Sequence, residues 1–222
     1  MTDTHETFQI PLEAAEAYEA RFVPALFAEW APHLVDMADV SPGQAVLDVA
    51  CGTGIVARTA APRVVPGGRV VGLDLNEAML TVARRVSPDL EWRRGDAAAL
   101  PFADGEFDVV VCQMALMFLP DRLAAVREMA RVTAAGGTVA FSVPDRLPAQ
   151  PAYGPFVDLC AEHAGPEALS LLGTYWSCGD LDDLVALAGA AGLEVLTTRT
   201  RAGTARFASV DEFVATEVEG TP

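Results

Sequence analysis

Residues 46–54 read VLDVACGTG. A short β-branched run with one acid ends in a loop of small residues, as expected of a buried strand leaving a sheet. Gly52 and Gly54 let the loop backbone approach a ligand closely. Gly52-x-Gly54-x-x-Ala57 also fits the spacing of a dinucleotide loop. Asp74, twenty residues past Gly54, stands where a ribose-binding acid belongs. Asp48 opposes the dinucleotide. A carboxylate at the loop mouth would face a pyrophosphate, and like charges about 4 Å apart repel by about 4 kcal/mol at an effective dielectric of 20. The same carboxylate suits a ligand whose near end is positive. A second role is compatible with this one: a turn acid that satisfies loop N–H groups.

Outward from this loop, strands and helices alternate. Ala45–Val49 is the first predicted strand, followed by a helix Ile55–Ala61 closed by Pro62. A PGG turn at 66–68 leads to a strand Arg69–Leu73, then a helix Asn76–Val86 with Asn76 as its cap. Strands follow at Leu90–Arg94 and Phe107–Cys112, the second apolar enough to be buried on both faces. A helix Asp121–Thr133 presents Leu123, Val126 and Ala130 on one face, ends at Gly136 and Gly137, and precedes a strand Thr138–Val143. The pattern predicts an α/β fold: a three-layer, Rossmann-like, mostly parallel sheet with helices on both faces. Ligands of such sheets bind at the carboxyl ends of the strands. Residues 12–38 read as helix, broken by Pro24 and Pro32. The interval 144–179 is rich in proline and aromatic residues. A helix Leu181–Ala191 and a sixth strand Leu193–Thr200 follow.

The chain of 222 residues fits one domain with a full core. Its net charge of −16 would repel phosphate backbones, so no nucleic acid is expected as partner. Cys51, Cys112, Cys160 and Cys178 show no zinc-like spacing, and Cys51 reads as a small turn residue. The polar start MTDTHETFQI has no secretory pattern, and no apolar run reaches the ~20 residues of a membrane span. A reduced, cytoplasmic protein is expected.

S-adenosylmethionine meets the charge requirement at Asp48: it has an ammonium, a sulfonium and a ribose but no phosphate. VLDVACGTG, then VVGLDLNEAML, RRGDAAALPFADGEFDVVVCQ and MARVTAAGGTVAFSV, resembles class I S-adenosylmethionine-dependent methyltransferases. The resemblance is to the small-molecule, ubiquinone/menaquinone-methyltransferase-like type, and covers roughly residues 40–145. Ala50 departs from the glycine that many members carry there. The resemblance implies that Asp48, Ala50, Gly52 and Gly54 surround the methionine part of the cofactor. It implies that Asp74 takes both ribose hydroxyls, that Leu75 and Met79 flank the adenine, and that Gly95, Asp96 and Ala97 complete that pocket. Asp96 would accept from the adenine amino group. Gln113 would face the methionyl end and the substrate.

The expected reaction is in-line methyl transfer to a small-molecule acceptor, driven mainly by alignment. His5, His33 and His163 lie in no motif and no catalytic residue is named. Asp182 and Asp183 are expected to begin a helix rather than hold a metal. Acceptor selection is assigned to residues 1–40, with Tyr18, Phe22 and Trp30, and to 144–179 as a lid-like insertion on the domain 41–222. The family's sheet has a seventh, antiparallel strand, and six are counted here. Either Arg201–Ala208 folds back as a substitute, or the sheet lacks a strand, or another chain fills the edge in a homodimer. Two further readings stand beside the enzyme: a methyltransferase-like binding module without turnover, and an NAD-dependent oxidoreductase, which Asp48 disfavours.

Overall fold

The computed structural model describes residues 9–164 and 173–219. One parallel sheet contains β1 (Ala45–Val49), β2 (Arg69–Asp74), β3 (Glu91–Arg94), β4 (Phe107–Gln113) and β5 (Thr133–Ser142). Their order is β3-β2-β1-β4-β5. The chain winds one way from β1 to β3, then crosses to the other side for β4 and β5. The loop after β1 therefore sits where the order reverses, the usual binding crevice of such sheets.

Alternation along β1 sorts its side chains between two cores. Leu47 and Val49 join Leu73, Phe107 and Val110 beneath α5 (Arg122–Val132). Val46 joins Val70, Val109 and Val111 beneath α2 (Trp30–Met37) and α3 (Ile55–Val64). Asp48 has the parity of Val46 and so turns toward α3. The expected cap of α4 (Glu77–Val86) is present: the Asn76 side chain accepts from Ala78 and Met79 N–H at 2.9 and 3.3 Å. The acid before α5 acts likewise, Asp121 accepting from Ala124 N–H at 2.9 Å.

Several expectations need correction. Pro62 does not close α3, which runs to Val64. So near the helix end its missing N–H removes a single intrahelical bond. Gly136 and Gly137 do not end α5; the helix stops at Val132 and the glycines lie inside β5. The register there jumps from Phe107↔Thr133 to Val109↔Thr138, so the glycines occupy a bulge, with Gly136 at φ +80°. The buried face of α5 is Ala125, Val126, Met129 and Val132 rather than Leu123, Val126 and Ala130. Of the N-terminal prolines, Pro24 breaks nothing, whereas Pro32 stands just past a turn at 28–29 that divides the segment. α1 (Leu12–Ala17) widens into a π-helix, Tyr18–Phe27, that contains Pro24, and Ala28 N–H bonds five residues back to Val23 O at 2.8 Å. Pro32 is in the first turn of α2, where its N–H would lack an intrahelical partner anyway.

The sixth strand does not form. Leu193–Thr200 joins no ladder, and the sheet of the described residues has five strands. Arg201–Ala208 does not replace it. That segment runs irregularly back to the N-terminal helices, where Arg206 N–H reaches Ala25 O at 3.0 Å and Thr204 N–H reaches the Glu29 carboxylate at 3.2 Å. Among the described residues the remaining α-helices are α6 (Tyr153–Ala164), α7 (Leu181–Ala190) and α8 (Val210–Glu219). Asp182 and Asp183 occupy the first turn of α7, capped by Asp180. Part of the expected insertion, residues 165–172, lies outside the described residues, as does His5. No helix of the described residues is long and apolar enough to cross a membrane.

Candidate functional site

The loop after β1 is wound in the left-handed region at Ala50 (φ +54°), Gly52 (φ +56°) and Gly54 (φ +89°). That winding turns its N–H groups back toward β2. Cys51 N–H bonds to Leu73 O at 2.9 Å, and Gly52 N–H bonds to Asp74 Oδ2 at 2.8 Å. Asn76 N–H takes Oδ1 of the same carboxylate at 2.8 Å. Leu75 N–H also bonds to this carboxylate, which still lines the cavity and can accept from a ligand hydroxyl. Burial pushes the Asp74 carboxyl up, opposed by the bonds from Asn76 and Gly52.

Asp48 stands behind this loop. It is 1% exposed, and its Oδ2 accepts Ala57 N–H at 2.9 Å in the first turn of α3. Burial pushes its carboxyl up to about 8, the Ala57 bond opposes this, and nearby Asp74 adds to it. Gly54 is also behind the loop: a Cβ there would fall 2.1 Å from the Trp92 ring.

A cavity of about 1850 Å³ opens at the carboxyl ends of the strands. Ala50, Gly52, Asp74, Leu75, Met79, Gly95, Asp96, Ala97 and Gln113 all line it; Asp48 and Gly54 do not. Asp96 is exposed, with Oδ1 accepting Ala98 N–H at 2.8 Å. Gln113 Nε2 donates to Phe27 O at 3.2 Å, while its Oε1 is buried without a hydrogen-bond partner. The hydroxyl of Ser142, its neighbour in the ladder, is in the same condition. Both residues line the cavity, so two unmet polar atoms stand beside the loop. Such groups each cost about 1–3 kcal/mol until a ligand meets them.

Other lining residues come from far along the chain. The Tyr18 ring lies over the loop, its hydroxyl 3.7 Å from where a Gly52 Cβ would sit. Burial first, then Asp74, pushes the Tyr18 phenol well up. A two-pronged ion pair, Arg58 to Glu19 at 2.8 and 3.1 Å, ties that helix to α3. Tyr153, Tyr175, Trp176 and Glu217 line another part of the same cavity. Glu217 carries no local sequence signal; its neighbour Tyr153 is 64 residues away. Met114, in the left-handed region at φ +50°, follows Gln113 into the cavity. His33 lines the cavity beside Arg201, with Nδ1 3.2 Å from that guanidinium, whereas His163 only meets its own helix at Leu159 O.

Residues 47–141 match a family model described as a methyltransferase domain. The demethylmenaquinone methyltransferase of Renibacterium salmoninarum is 39% identical over 134 residues, 60% of this chain and 54% of that protein. The 2-phytyl-1,4-naphtoquinone methyltransferase of Thermosynechococcus vestitus is 41% identical over 114 residues, 50% of this chain and 51% of that protein. The chain thus spans about half the length of the curated relatives it matches. A crystal structure of a SAM-dependent methyltransferase from Aquifex aeolicus aligns with TM-score 0.59 over 81% of this chain and 87% of that one. At 17% identity that likeness is one of fold alone. Matched region and sheet order agree: residues 47–141 carry a match to a methyltransferase domain, on the fold seen in the solved S-adenosylmethionine-dependent methyltransferase.

Proposed function

We propose that the chain transfers a methyl group from S-adenosylmethionine to a small-molecule acceptor. The observation that carries this reading is the Gly52–Asp74 pair at the reversal of sheet order. The residues around it fit the cofactor. Asp74 lines the cavity and would accept from the ribose hydroxyls. Leu75, Met79 and Ala97 offer an apolar slot for the adenine, Gly95 keeps its wall thin, and Asp96 would accept from the amino group. The unmet Gln113 Oε1 suits an ammonium donor at the methionyl end, beside Ala50 and Gly52. Asp48 and Gly54 would act from behind, by holding the loop and by placing a negative charge near the cationic end.

When bound, the cofactor supplies a methyl group already activated on sulfonium. The chain's task is then alignment and exclusion of water. Residues 1–40 and the insertion 144–179 are assigned to that task and to acceptor choice, because Tyr18, Phe22, Trp30, Tyr153, Tyr175 and Trp176 all line the cavity. Typical ligand pockets hold about 300–1,000 Å³, so the cavity has room for acceptor and cofactor together. Two relatives are named for naphthoquinone-type acceptors, and a flat aromatic acceptor suits these aromatic walls. The four cysteines are free, which fits a reducing cytoplasm, and the acidic charge argues against nucleic acid. The unpaired β5 edge supports a homodimer.

Calorimetric titration with S-adenosylmethionine, S-adenosylhomocysteine and NAD tests the reading. Micromolar binding of both sulfur compounds and none of NAD is expected. Binding of NAD alone would sink it.

A further inference from the structure

Tyr18 opens the π-helix Tyr18–Phe27, and its ring meets those of Phe22 and Phe27 at 6.0 and 5.2 Å between centres. Nine residues make about two and a half turns of α-helix, which would set Tyr18 and Phe27 on opposite faces. The wider winding lets both line the cavity. Glu19, the next residue, forms the two-pronged ion pair with Arg58 at 2.8 and 3.1 Å. The two side chains are only 21% and 18% exposed, so solvent screens this pair less than a surface one. Arg58 belongs to α3, which starts directly after the loop, so the pair fixes Tyr18 relative to Gly52. At the far end of the π-helix, Gln113 Nε2 holds Phe27 O at 3.2 Å.

This mounting sets Tyr18 Cε1 and Oη each 3.7 Å from where a Gly52 Cβ would sit. With no side chain at Gly52, nothing of that residue stands between the phenol and the loop backbone. Among the described residues Oη has no hydrogen-bond partner. Burial first, then the Asp74 charge, keeps the phenol protonated, so Oη has a proton to donate. The loop itself has few donors left for an anion. Cys51 N–H is bonded to Leu73 O, Gly52 N–H to Asp74 and Gly54 N–H to Cys51 O. S-adenosylmethionine ends in a carboxylate as well as an ammonium. Gln113 Oε1 suits the ammonium, and a carboxylate left without a donor is costly to bury.

We propose that the Tyr18 hydroxyl donates to the α-carboxylate of the bound cofactor, held in place by the Glu19–Arg58 pair. This assignment rests on the methyltransferase reading above, and it gives the N-terminal segment a residue that binds the cofactor rather than the acceptor. Glu19 and Arg58 do not line the cavity; they are positioning residues that act through Tyr18.

The test titrates the full chain with S-adenosylhomocysteine and with its decarboxylated analogue, which keeps the ammonium and loses the carboxylate. Wild type should bind S-adenosylhomocysteine about tenfold more tightly than the analogue, the effect of one hydrogen bond to a charged group. Tyr18→Phe keeps the ring and its packing. It should weaken S-adenosylhomocysteine about tenfold and leave the analogue unchanged, so that the preference disappears. Arg58→Ala should reduce the same preference, and Arg58→Lys, which keeps the charge but not the fork, should restore part of it. A loss of packing alone would weaken both ligands equally. Equal losses of both in Tyr18→Phe, or a preference that survives in it, would overturn the proposal. Wild type that binds both ligands without preference would remove the role of Tyr18 and keep the methyltransferase reading. Wild type that binds neither would remove that reading and the role of Tyr18 with it.

Discussion

Gly52 N–H donates to Asp74 Oδ2 across 2.8 Å, joining the loop after β1 to the end of β2. One carboxylate therefore shapes the loop and faces the cavity. Asp74→Ala should abolish detectable S-adenosylhomocysteine binding, a loss of about 100-fold or more. Two bonds to a charged acceptor are worth about 1.5–3 kcal/mol each. Asp74→Asn keeps one acceptor oxygen and should fall between. Calorimetry checks both, and wild-type affinity in Asp74→Ala would remove the residue from the ribose site.

Asp48 gives a pH dependence with a definite sign. Its folded-state value of about 8 lies above the ordinary aspartate value near 4, so the fold favours the protonated acid. Its stabilising contribution is full below about pH 4 and is lost as pH rises through about 8. Urea midpoints of the ligand-free chain should fall across that interval, and the slope should shrink in Asp48→Asn. A cationic cofactor favours the ionised form, so binding near pH 7 should release protons. Titrations in buffers of different ionisation enthalpy measure that release. None at all would mean that the cation does not sense Asp48, leaving the acid only its bond to Ala57.

Much of this was legible in the chain. β1, β2 and β4 announce themselves as apolar runs, and Asn76 and Asp121 as helix caps, because these signals are local. The loop residues and Asp74 could be placed together because strand ends in a parallel sheet converge. What failed depended on partners. Leu193–Thr200 has the composition of a strand, but a strand exists only within a ladder, and the fold does not pair this segment with the β5 edge. Gly136 and Gly137 looked like a helix stop because a bulge and a C-cap ask for the same glycine. Glu217 and Tyr153 meet across 64 residues, and nothing in either neighbourhood indicates that.

Ala50 occupies a left-handed conformation at φ +54°, a region that glycine enters without steric cost. A β-carbon there costs on the order of 1 kcal/mol. Ala50→Gly should raise stability by about that amount in urea unfolding. Gly72 tests the opposite case. A Cβ at Gly72 would lie 2.4 Å from the Trp92 ring, so Gly72→Ala should cost about 1–3 kcal/mol. Adding Trp92→Leu should recover part of it. Additive losses in the double variant would show that the ring is not the obstacle.

The β5 edge sets up the final prediction. Among the described residues β5, Thr133–Ser142, has a ladder partner only in β4, and Leu196, which lines the same cavity as β5, is 80% exposed. Unpaired strand groups beside an exposed apolar side chain form a template for another chain. The protein should therefore associate with itself, and sedimentation should show a weight-average mass that grows with concentration. Leu196 contributes almost nothing to the core, so Leu196→Lys leaves the fold intact while placing a charge on the template. It should weaken association about tenfold, or about 1.4 kcal/mol. A wild-type chain that stays monomeric at every concentration would refute the dimer. Association that Leu196→Lys does not weaken would place the contact on another surface.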